Sequence, residues 1–253
     1  MKKDTSWEGV AGWYDKHLES DSDTYHSKVI LPNLTRLLSL SGKETVLDLA
    51  CGQGFFARAF SKDAKQMVGA DLSPSLIAIA KEHTGATVSY HVSNAMNLRF
   101  AKDASFNIVY CVLALQNIER IAETLKEVKR VLTKDGRFIF VLNHPAFRIP
   151  KHSSWGFDEK LGVQYRRVDS YLSATKEKID MTPSKKTNKE YTVSFHRSLQ
   201  EYMKLLRTSG FAITRLEEWI SHRKSEKGPR AKAEDMSRKE FPLFLAVEVI
   251  IRG

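Results

Sequence analysis

Residues 46–54 read VLDLACGQG, an apolar run of strand length that leads directly into small residues and glycine. Glycine adopts backbone dihedral angles that other residues resist, and small side chains let the backbone approach a ligand closely. The sequence after Gly54 predicts a helix that begins near Phe55. A strand, a glycine turn and a helix in this order place a ligand at the carboxyl end of the strand. We therefore expect this segment to be a ligand cradle.

Apolar runs of strand length alternate with amphipathic stretches of helix length from residue 44 onward. This alternation is typical of a mostly parallel sheet that is covered by helices. The prediction is a doubly wound α/β fold with a mostly parallel, seven-stranded sheet. The predicted strands are residues 45–49, 66–70, 87–92, 106–112, 137–142, 211–216 and 243–251.

Capping residues indicate where several helices begin and end. Ser73-Pro74 provides an N-cap followed by proline at the first helical position. Ser198 and Glu201 have the spacing of a capping box, which predicts the start of the last helix. The glycine of Lys134-Asp135-Gly136 predicts the end of the helix that precedes the fifth strand.

Two segments do not fit the alternation. The stretch before the first strand contains a predicted helix at residues 28–40 and is expected to form a helical lid. The stretch between the fifth strand and the last helix shows little periodicity, and a loop of that length is usually functional or disordered. We predict one domain, 1–253, with a lid (1–43), a cofactor-binding core (44–142), a cap insertion before the last helix (143–197) and a closing helix with two strands (198–253).

The composition is that of a globular protein, with 42% hydrophobic and 28% charged residues. No apolar run approaches the length of a membrane helix, and the N-terminal residues lack the hydrophobic stretch of a secretory signal. We therefore expect a cytoplasmic protein. Cys51 and Cys111 lie in apolar contexts without metal-ligand spacing, so we expect reduced, buried thiols and no metal site.

The net charge of +10 is concentrated in the second half of the chain. Residues 1–140 carry 18 Lys and Arg against 16 Asp and Glu, whereas residues 141–253 carry 22 against 14. The resulting balances are +2 and +8. A surface of one sign attracts an anionic substrate, RNA or an acidic membrane surface, although a solvated lysine-rich face explains the excess equally well.

Acidic residues at two strand ends bear on the choice of ligand. The spacing Gly52-x-Gly54-x-x-Ala57 also matches the fingerprint of dinucleotide-binding enzymes. The negative charge of Asp48, just before the turn, would oppose a pyrophosphate but would attract the ammonium group of a methionine-like ligand. Asp71, at the end of the next strand, is placed to accept hydrogen bonds from the ribose hydroxyls of a nucleoside.

The third strand is followed by Ser93-Asn94-Ala95-Met96, which suits the edge and the face of an adenine. Together the strand ends within residues 44–142 resemble the class I methyltransferases that depend on S-adenosylmethionine (SAM) and release S-adenosylhomocysteine (SAH). The resemblance implies a Rossmann-like methyltransferase fold with SAM as cofactor. It implies cofactor-binding roles for Asp48, Ala50, Gly52, Gln53 and Gly54 at the methionine part, Asp71 at the ribose, Leu72, Asn94, Ala95 and Met96 at the adenine, and Cys111 and Leu113 after the fourth strand.

The family usually has glycine at the position of Ala50 and often aspartate at that of Asn94. Residues 7–15, WEGVAGWYD, are similar to the opening of methyltransferases related to quinone biosynthesis, and residues 194–202 and 241–245 are similar to closing elements of this small-molecule group. In such proteins Tyr14 would fold over the cofactor, where its ring would attract a sulfonium through cation–π interaction.

Methyl transfer from a sulfonium is an in-line displacement, so the enzyme chiefly aligns the acceptor and excludes water. A general base is required only where the acceptor must lose a proton. His144, after the fifth strand, and His196, before the last helix, are the candidate catalytic residues. Tyr165 and Tyr171 are weaker candidates. The expected acceptor is a small molecule, anionic or neutral, with an oxygen, nitrogen or carbon nucleophile.

Three other functions remain open at this point. The basic series at residues 223–232 is compatible with a methyltransferase of tRNA, rRNA or another nucleic acid, whose binding would weaken steeply with salt. A non-catalytic SAM-binding protein would keep the cradle and yield no SAH with any acceptor. A nicotinamide-dependent oxidoreductase would bind NAD in preference to SAM.

Overall fold

The computed structural model describes residues 7–9, 12, 23–182, 187 and 189–253. Within these residues the chain forms one seven-stranded sheet and two separate two-stranded sheets. The strands are β1 (Thr45–Leu49), β2 (Gln66–Asp71), β3 (Ser89–Val92), β4 (Phe106–Val112), β5 (Leu132–Asn143), β6 (Ser153–Asp158), β7 (Val163–Val168), β8 (Thr175–Asp180), β9 (Tyr191–His196), β10 (Phe211–Trp219) and β11 (Phe244–Ile251). The helices are α1 (Leu31–Leu38), α2 (Phe55–Phe60), α3 (Pro74–Thr84), α4 (Ile121–Val131), α5 (Leu199–Thr208) and α6 (Ala231–Glu240), with a π-helical turn at His26–Ile30 and 3₁₀ turns at Gly85–Thr87 and Leu115–Asn117.

The large sheet has the strand order β10-β11-β5-β4-β1-β2-β3. Strands β1 to β5 pair in parallel, whereas β11 is antiparallel to both β5 and β10. The predicted mostly parallel, seven-stranded sheet is therefore confirmed. Because Phe244 at the start of β11 pairs with Asn143 at the end of β5, the connection from β10 to β11 lies at the same edge as the carboxyl ends of the parallel strands.

Both faces of the sheet are buried. Along β4, Ile108 and Tyr110 face the side covered by α1, α2 and α3, and Val109 and Cys111 face the side covered by α4 and α5. Burial of one large apolar side chain contributes roughly 1.5–3 kcal/mol. The alternation of fully buried residues on both faces is what gives the doubly wound arrangement.

The predicted starts of two helices are confirmed by their caps. The Ser73 hydroxyl accepts a hydrogen bond from the Leu76 backbone N–H at 3.1 Å, and α3 begins at Pro74. The Ser198 hydroxyl accepts from the Glu201 backbone N–H at 3.4 Å, and α5 begins at the next residue.

The predicted end of the helix before the fifth strand is wrong. Helix α4 ends at Val131, and the backbone is already extended at Leu132, which pairs with Phe106 of β4. The next paired residues are Ile108 and Arg137, so the Lys-Asp-Gly turn lies in a bulge of β5. A buried apolar residue such as Leu132 fits the last turn of a helix and the first position of a strand equally well. Its apolar character therefore could not locate the boundary between α4 and β5.

Several other predicted boundaries also differ from the structure. The strand predicted at residues 87–92 begins at Ser89, because a 3₁₀ turn precedes it. The strand predicted at 211–216 continues to Trp219, and the helix predicted at 28–40 ends at Leu38, with Ser39 in the left-handed region at φ 45°.

The insertion at residues 143–197 contains two β-hairpins, β6–β7 and β8–β9, which the weak periodicity did not predict. Many of their side chains are exposed or half-buried on both faces, so hydrophobic alternation is weak. Helix α6 was also not predicted, because its sequence, AKAEDMSRKE, is polar and buries only Ser237.

Among the described residues, no helix combines the length and the apolar composition that crossing a bilayer requires. The same part of the chain brings no three His, Cys, Asp or Glu side chains together in a way that suits a metal ion. Cys51 and Cys111 are free, as predicted, but only Cys111 is buried as expected, whereas Cys51 is half-buried.

Candidate cofactor site and neighbouring cavity

The turn after β1 follows a backbone path that requires small residues. Ala50, Gly52 and Gly54 have φ values of 58°, 56° and 81°, all in the left-handed region. A Cβ atom on Gly54 would lie 2.3 Å from the Tyr90 hydroxyl oxygen. The Cys51 backbone N–H donates to the Ala70 carbonyl at 3.1 Å, which ties the turn to β2.

The predicted ribose-binding carboxylate joins two of the strand ends. Asp71 Oδ2 accepts a hydrogen bond from the Gly52 backbone N–H, and Oδ1 accepts from the Ser73 backbone N–H, both at 2.9 Å. Each carboxylate oxygen has a second lone pair that can accept from a ligand hydroxyl. Burial raises the pKa of Asp71, and the backbone donors oppose this shift.

Asp48 lies beneath the turn and is 2% exposed. Its Oδ2 atom is buried and has no hydrogen-bond partner among the described residues. Burial raises the pKa of this carboxyl to about 8, the Asp71 charge adds to the shift, and the Tyr110 hydroxyl opposes it. Because an unpartnered buried carboxylate oxygen is costly, a cationic ligand group beside Oδ2 would favour the ionised form.

Asp48 and the turn line a small cavity, the cofactor cavity, together with aromatic residues from the elements around it. Sequence reasoning missed His26, Phe55, Phe56 and Val112, although Phe55 directly follows the glycine turn. The His26 ring lies 5.7 Å from that of Phe56, centroid to centroid. The cavity is lined by His26, Asp48, Ala50, Cys51, Gly52, Gln53, Phe55, Phe56 and Val112.

The amide of Gln53 is held on the protein side of the turn. The Arg58 guanidinium donates to Gln53 Oε1 at 2.8 Å and to the Gln53 backbone carbonyl at 3.0 Å. The side chain is 1% exposed. Its predicted contact with the methionine part therefore stays a prediction that would have to involve the backbone or a change of rotamer.

The predicted adenine-binding loop is anchored to β2. The Ser93 backbone N–H donates to the Asp71 carbonyl at 2.8 Å, and Asn94 Oδ1 accepts from the Met96 backbone N–H at 2.9 Å. Asn94, Ala95 and Met96 are half-buried, as is Leu72. The loop thus follows directly on the ribose-binding carboxylate, although its contacts to an adenine stay a prediction.

The two residues predicted after β4 occupy different environments. Cys111 is fully buried in the core, and burial raises the pKa of its thiol. Leu113 is half-buried, with φ 52°, and its carbonyl accepts from the Gln116 side-chain amide at 2.8 Å. Gln116 Oε1 is buried without a partner among the described residues, so it is a further polar atom that sequence reasoning missed.

Part of the predicted lid contacts the start of α3. The Glu8 carboxylate accepts hydrogen bonds from the hydroxyls of Ser73 and Ser75, and these bonds lower its pKa. Glu8 therefore lies beside the strand end that carries Asp71. Tyr14 lies outside the described residues.

The two candidate catalytic histidines are both held by protein groups. His144 is 1% exposed, its Nε2 lies 2.8 Å from Glu218 Oε1, and its Nδ1 accepts from the Ala146 backbone N–H at 3.2 Å. Burial lowers the pKa of His144, and Glu218 opposes the shift. His196 is 5% exposed, and its Nε2 donates to the Tyr171 carbonyl at 2.7 Å.

A second, larger cavity of about 760 Å³ lies beside the cofactor cavity, and its size is typical of small-molecule sites. Tyr25 lines this second cavity and the next residue, His26, lines the cofactor cavity, so the two cavities are neighbours. Most of its other lining residues belong to the connection from β10 to β11 and to α6. They include Arg223, Lys224, Glu226, Arg230, Glu234, Arg238 and Leu243, while Trp155 lines the cavity from β6.

Known proteins with similar sequences are methyltransferases. Residues 47–140 match the family profile of the methyltransferase domain. A demethylmenaquinone methyltransferase of Deinococcus radiodurans is 34% identical over 38% of this chain and 42% of its own length. A ubiquinone biosynthesis O-methyltransferase of Methylococcus capsulatus is 32% identical over 40% of this chain and 44% of its own length. The chain thus spans about two fifths of the length of these curated relatives.

A solved structure extends the similarity beyond the core. The crystal structure of an S-adenosylmethionine-dependent methyltransferase from Mesorhizobium loti is 27% identical, with a TM-score of 0.67 over 86% of this chain and 95% of that one. These similarities confirm the predicted family resemblance, the Rossmann-like fold and SAM as the cofactor.

Proposed function

We propose that this chain, whose residues 47–140 form a methyltransferase domain of the SAM-dependent kind, transfers a methyl group from SAM to a small-molecule acceptor and releases SAH. The observation that carries the proposal is the Oδ2 atom of Asp48, which is buried and unpartnered beneath the glycine turn. A methionine ammonium is the cation that this position suits. A pyrophosphate beside the same carboxyl would disfavour its ionised form.

Bound SAM would supply a methyl group on a positively charged sulfur, which needs no further activation. The acceptor's nucleophile would form a bond to the methyl carbon as the carbon–sulfur bond breaks, and the bonding pair would stay on the sulfur of SAH. What the chain contributes is alignment and the exclusion of water. In our proposal Asp48 holds the ammonium, Asp71 the ribose, and the loop at Asn94–Met96 the adenine.

The hydrogen bonds of the two candidate histidines limit which ring nitrogen could accept a proton from the acceptor. Both ring nitrogens of His144 are hydrogen-bonded, and a proton could reach Nδ1 only if the Ala146 N–H were released. His144 therefore suits the positioning of the loop after β5. In His196, Nε2 is a donor to a carbonyl, which leaves Nδ1 as the nitrogen able to accept a proton.

We further propose that the lid (1–43) and the cap insertion (143–197) select the acceptor. Trp155 of β6 and Tyr25 of the N-terminal segment both line the second cavity, next to the cofactor cavity. The curated relatives named above act, by their names, in quinone biosynthesis, but the alignments cover only 42% and 44% of their lengths. The acceptor is therefore argued from this cavity and not from those names.

The test is a calorimetric titration of the purified chain with SAM, SAH and NAD in parallel. We expect the two sulfur nucleosides to bind and NAD not to bind. Asp48→Ala should weaken SAH binding, and Asp63→Ala, which removes an exposed carboxylate, is the matched control. Binding of NAD alone would overturn the proposal. Tight SAM binding without SAH release for any acceptor would identify a non-catalytic SAM-binding protein instead.

A further inference from the structure

The second cavity carries more positive than negative charge, and we call it the basic cavity. Four of its lining side chains are basic and two are acidic. Arg230 pairs with Glu159, and Arg238 lies 3.8 Å from both Glu234 and Asp235. These two arginines are thus neutralised by the protein.

Arg223 differs from those arginines. Among the described residues it forms no ion pair, and its guanidinium lies over the Tyr25 ring at 5.0 Å from the centroid. A guanidinium on an aromatic face keeps its edge N–H donors available for an anion.

Arg166, on β7, packs against a residue of the cavity wall and does not itself line the cavity. Its guanidinium lies 5.1 Å from the centroid of Trp155, a lining residue. Nε donates to the Phe147 carbonyl and one terminal nitrogen donates to Ser153 Oγ, both at 2.7 Å. No carboxylate lies within ion-pair distance of this side chain in the described part of the chain. The protein therefore fixes the orientation of the group and leaves its charge unbalanced.

Arg148 resembles Arg166 in that its orientation is fixed while its charge is unbalanced. Its guanidinium donates to Asn143 Oδ1 at 2.9 Å and lies 5.7 Å from the centroid of Phe244. Burial lowers the pKa of Arg148, burial also lowers that of Arg166, and the charge of Arg148 adds to the second shift. Within the described residues, Arg148 also has no acidic partner.

Two half-buried guanidinium groups that repel each other are unfavourable unless an anion lies between or beside them. Arginine binds carboxylate and phosphate oxygens through parallel N–H donors, which gives both affinity and orientation. The position of these groups also fits transfer chemistry, because Asn143 ends β5 at the same sheet edge as the glycine turn.

We propose that the methyl acceptor carries an oxyanion, a carboxylate or a phosphate, that is bound by the guanidinium groups of Arg148 and Arg166 beside the basic cavity, behind the lining residue Trp155. This inference rests on the proposed function. Arg223, at the rim over Tyr25, attracts the same group from solvent.

The experiment titrates the full chain, saturated with SAH, with benzoate and with inorganic phosphate. We expect one of the two probes to bind, and the stronger one distinguishes a carboxylate acceptor from a phosphate acceptor. Arg166→Gln should weaken binding of that probe about tenfold or more, since it removes one charge-assisted contact. Arg167→Gln is the matched control, because Arg167 is adjacent on β7, exposed and paired with Asp169 at 2.7 Å, and it should leave binding within about twofold.

Arg166 also holds the chain at Phe147 and Ser153, so Arg148→Gln serves as a second variant that loses only one hydrogen bond to the protein. Unchanged SAH affinity shows that either variant is folded. Failure of both probes to bind the wild-type chain, or equal binding to wild type and to folded variants, overturns the proposal. Failure of SAH to bind while an oxyanion binds overturns the proposed function and leaves the anion site standing.

Discussion

The cofactor cavity and the basic cavity lie side by side at one edge of the sheet and have opposite electrostatic character. At the first, Asp48 is buried and Asp71 is half-buried, the pKa values of both carboxyls are raised, and the charge of Asp71 adds to the shift of Asp48. Beside the second, Arg148 and Arg166 are two guanidinium groups without acidic partners in the described residues, both with lowered pKa values. Each cavity thus has two groups of the same charge type at or beside it, and each pair suits a ligand group of the opposite sign. The difference indicates a division of labour in which a cation is bound at β1 and an anion beyond β5.

The two cavities also differ in how rigidly they are built. The cofactor cavity is formed by strand ends and a turn with constrained dihedral angles, whereas the basic cavity is formed by a hairpin, a connection and a polar helix. The largest effect that we predict concerns the cofactor cavity, which is the more rigid of the two. Gly54→Ala should destabilise the fold by about 3 kcal/mol, since a left-handed φ costs an L-residue roughly 1–2 kcal/mol and overpacking adds roughly 1–3 kcal/mol.

Urea unfolding measures this effect, and Gly42→Ala is the control. Gly42 has the same φ of 81°, but a Cβ there would meet nothing within 4 Å. The control should therefore lose only the conformational part. Equal losses for the two variants would show that the approach of Tyr90 to Gly54 imposes no constraint.

The second prediction separates the cavities by ligand. Asp71→Ala should lower SAH affinity at least about a hundredfold, because two hydrogen bonds to a carboxylate contribute roughly 1.5–3 kcal/mol each. Binding of benzoate or phosphate beside the basic cavity should stay within about twofold, since Asp71 bonds the glycine turn and Ser73 and does not line that cavity. Calorimetry of the variant beside Asp63→Ala measures both, and unchanged SAH affinity would remove Asp71 from the ribose site.

The third prediction concerns pH and Asp48. The folded chain keeps a proton on this carboxyl up to pH about 8, whereas the unfolded chain releases it near pH 4. Stability therefore falls as pH rises from about 4 to about 8, by up to roughly 1.4 kcal/mol per pH unit. Asp48→Asn should remove this part of the slope, and Asp63→Asn should not. Denaturant titrations at several pH values measure the slopes, and identical slopes for wild type and Asp48→Asn would contradict the raised pKa.

The smallest expected effect separates two roles of the backbone at Ala50, its effect on stability and its effect on ligand binding. Ala50→Gly should raise stability by less than about 1 kcal/mol, because relief of the positive φ is largely offset by the extra freedom of glycine in the unfolded chain. Ala104→Gly, at φ 51° in an exposed turn, should give a similar gain. Thermal melts compare the two variants. SAH affinity should change only for Ala50→Gly, and a change for both would place the effect outside the cavity.

The sheet and the cofactor cradle were predictable because each rests on local pattern. The run that ends in Gly54 identifies a strand, a turn and a helix within a few residues, and Asp71 is the last residue of its own strand. The bulge of β5 was not predictable, because Leu132 fits both elements. The hairpins β6–β9 were missed because their side chains are too exposed to alternate clearly.

The basic cavity was visible in the sequence only as a charge excess. Arg148 and Arg166 are separated by a complete strand and turn, and their common lack of acidic neighbours depends on how β7 folds back over the loop after β5. Charge counts do not distinguish them from Arg167 or Arg230, which are paired. Ion pairing depends on tertiary structure, so the sequence alone could not identify the candidate acceptor site.

The position of β11 has a consequence for the order of folding. Residues 244–251 follow every other strand in the chain, yet they lie between β5 and β10, so β10 cannot join the sheet before β11 does. Strands β1 to β4 can pair earlier, and contacts between residues distant in sequence form slowly. We therefore expect amide protons of β1 and β4 to gain protection in pulsed hydrogen exchange before those of β10. Leu243, which lines the basic cavity, and Phe244, which begins β11, would then reach their places last. The strand ends of the cofactor cavity would already have formed by that time.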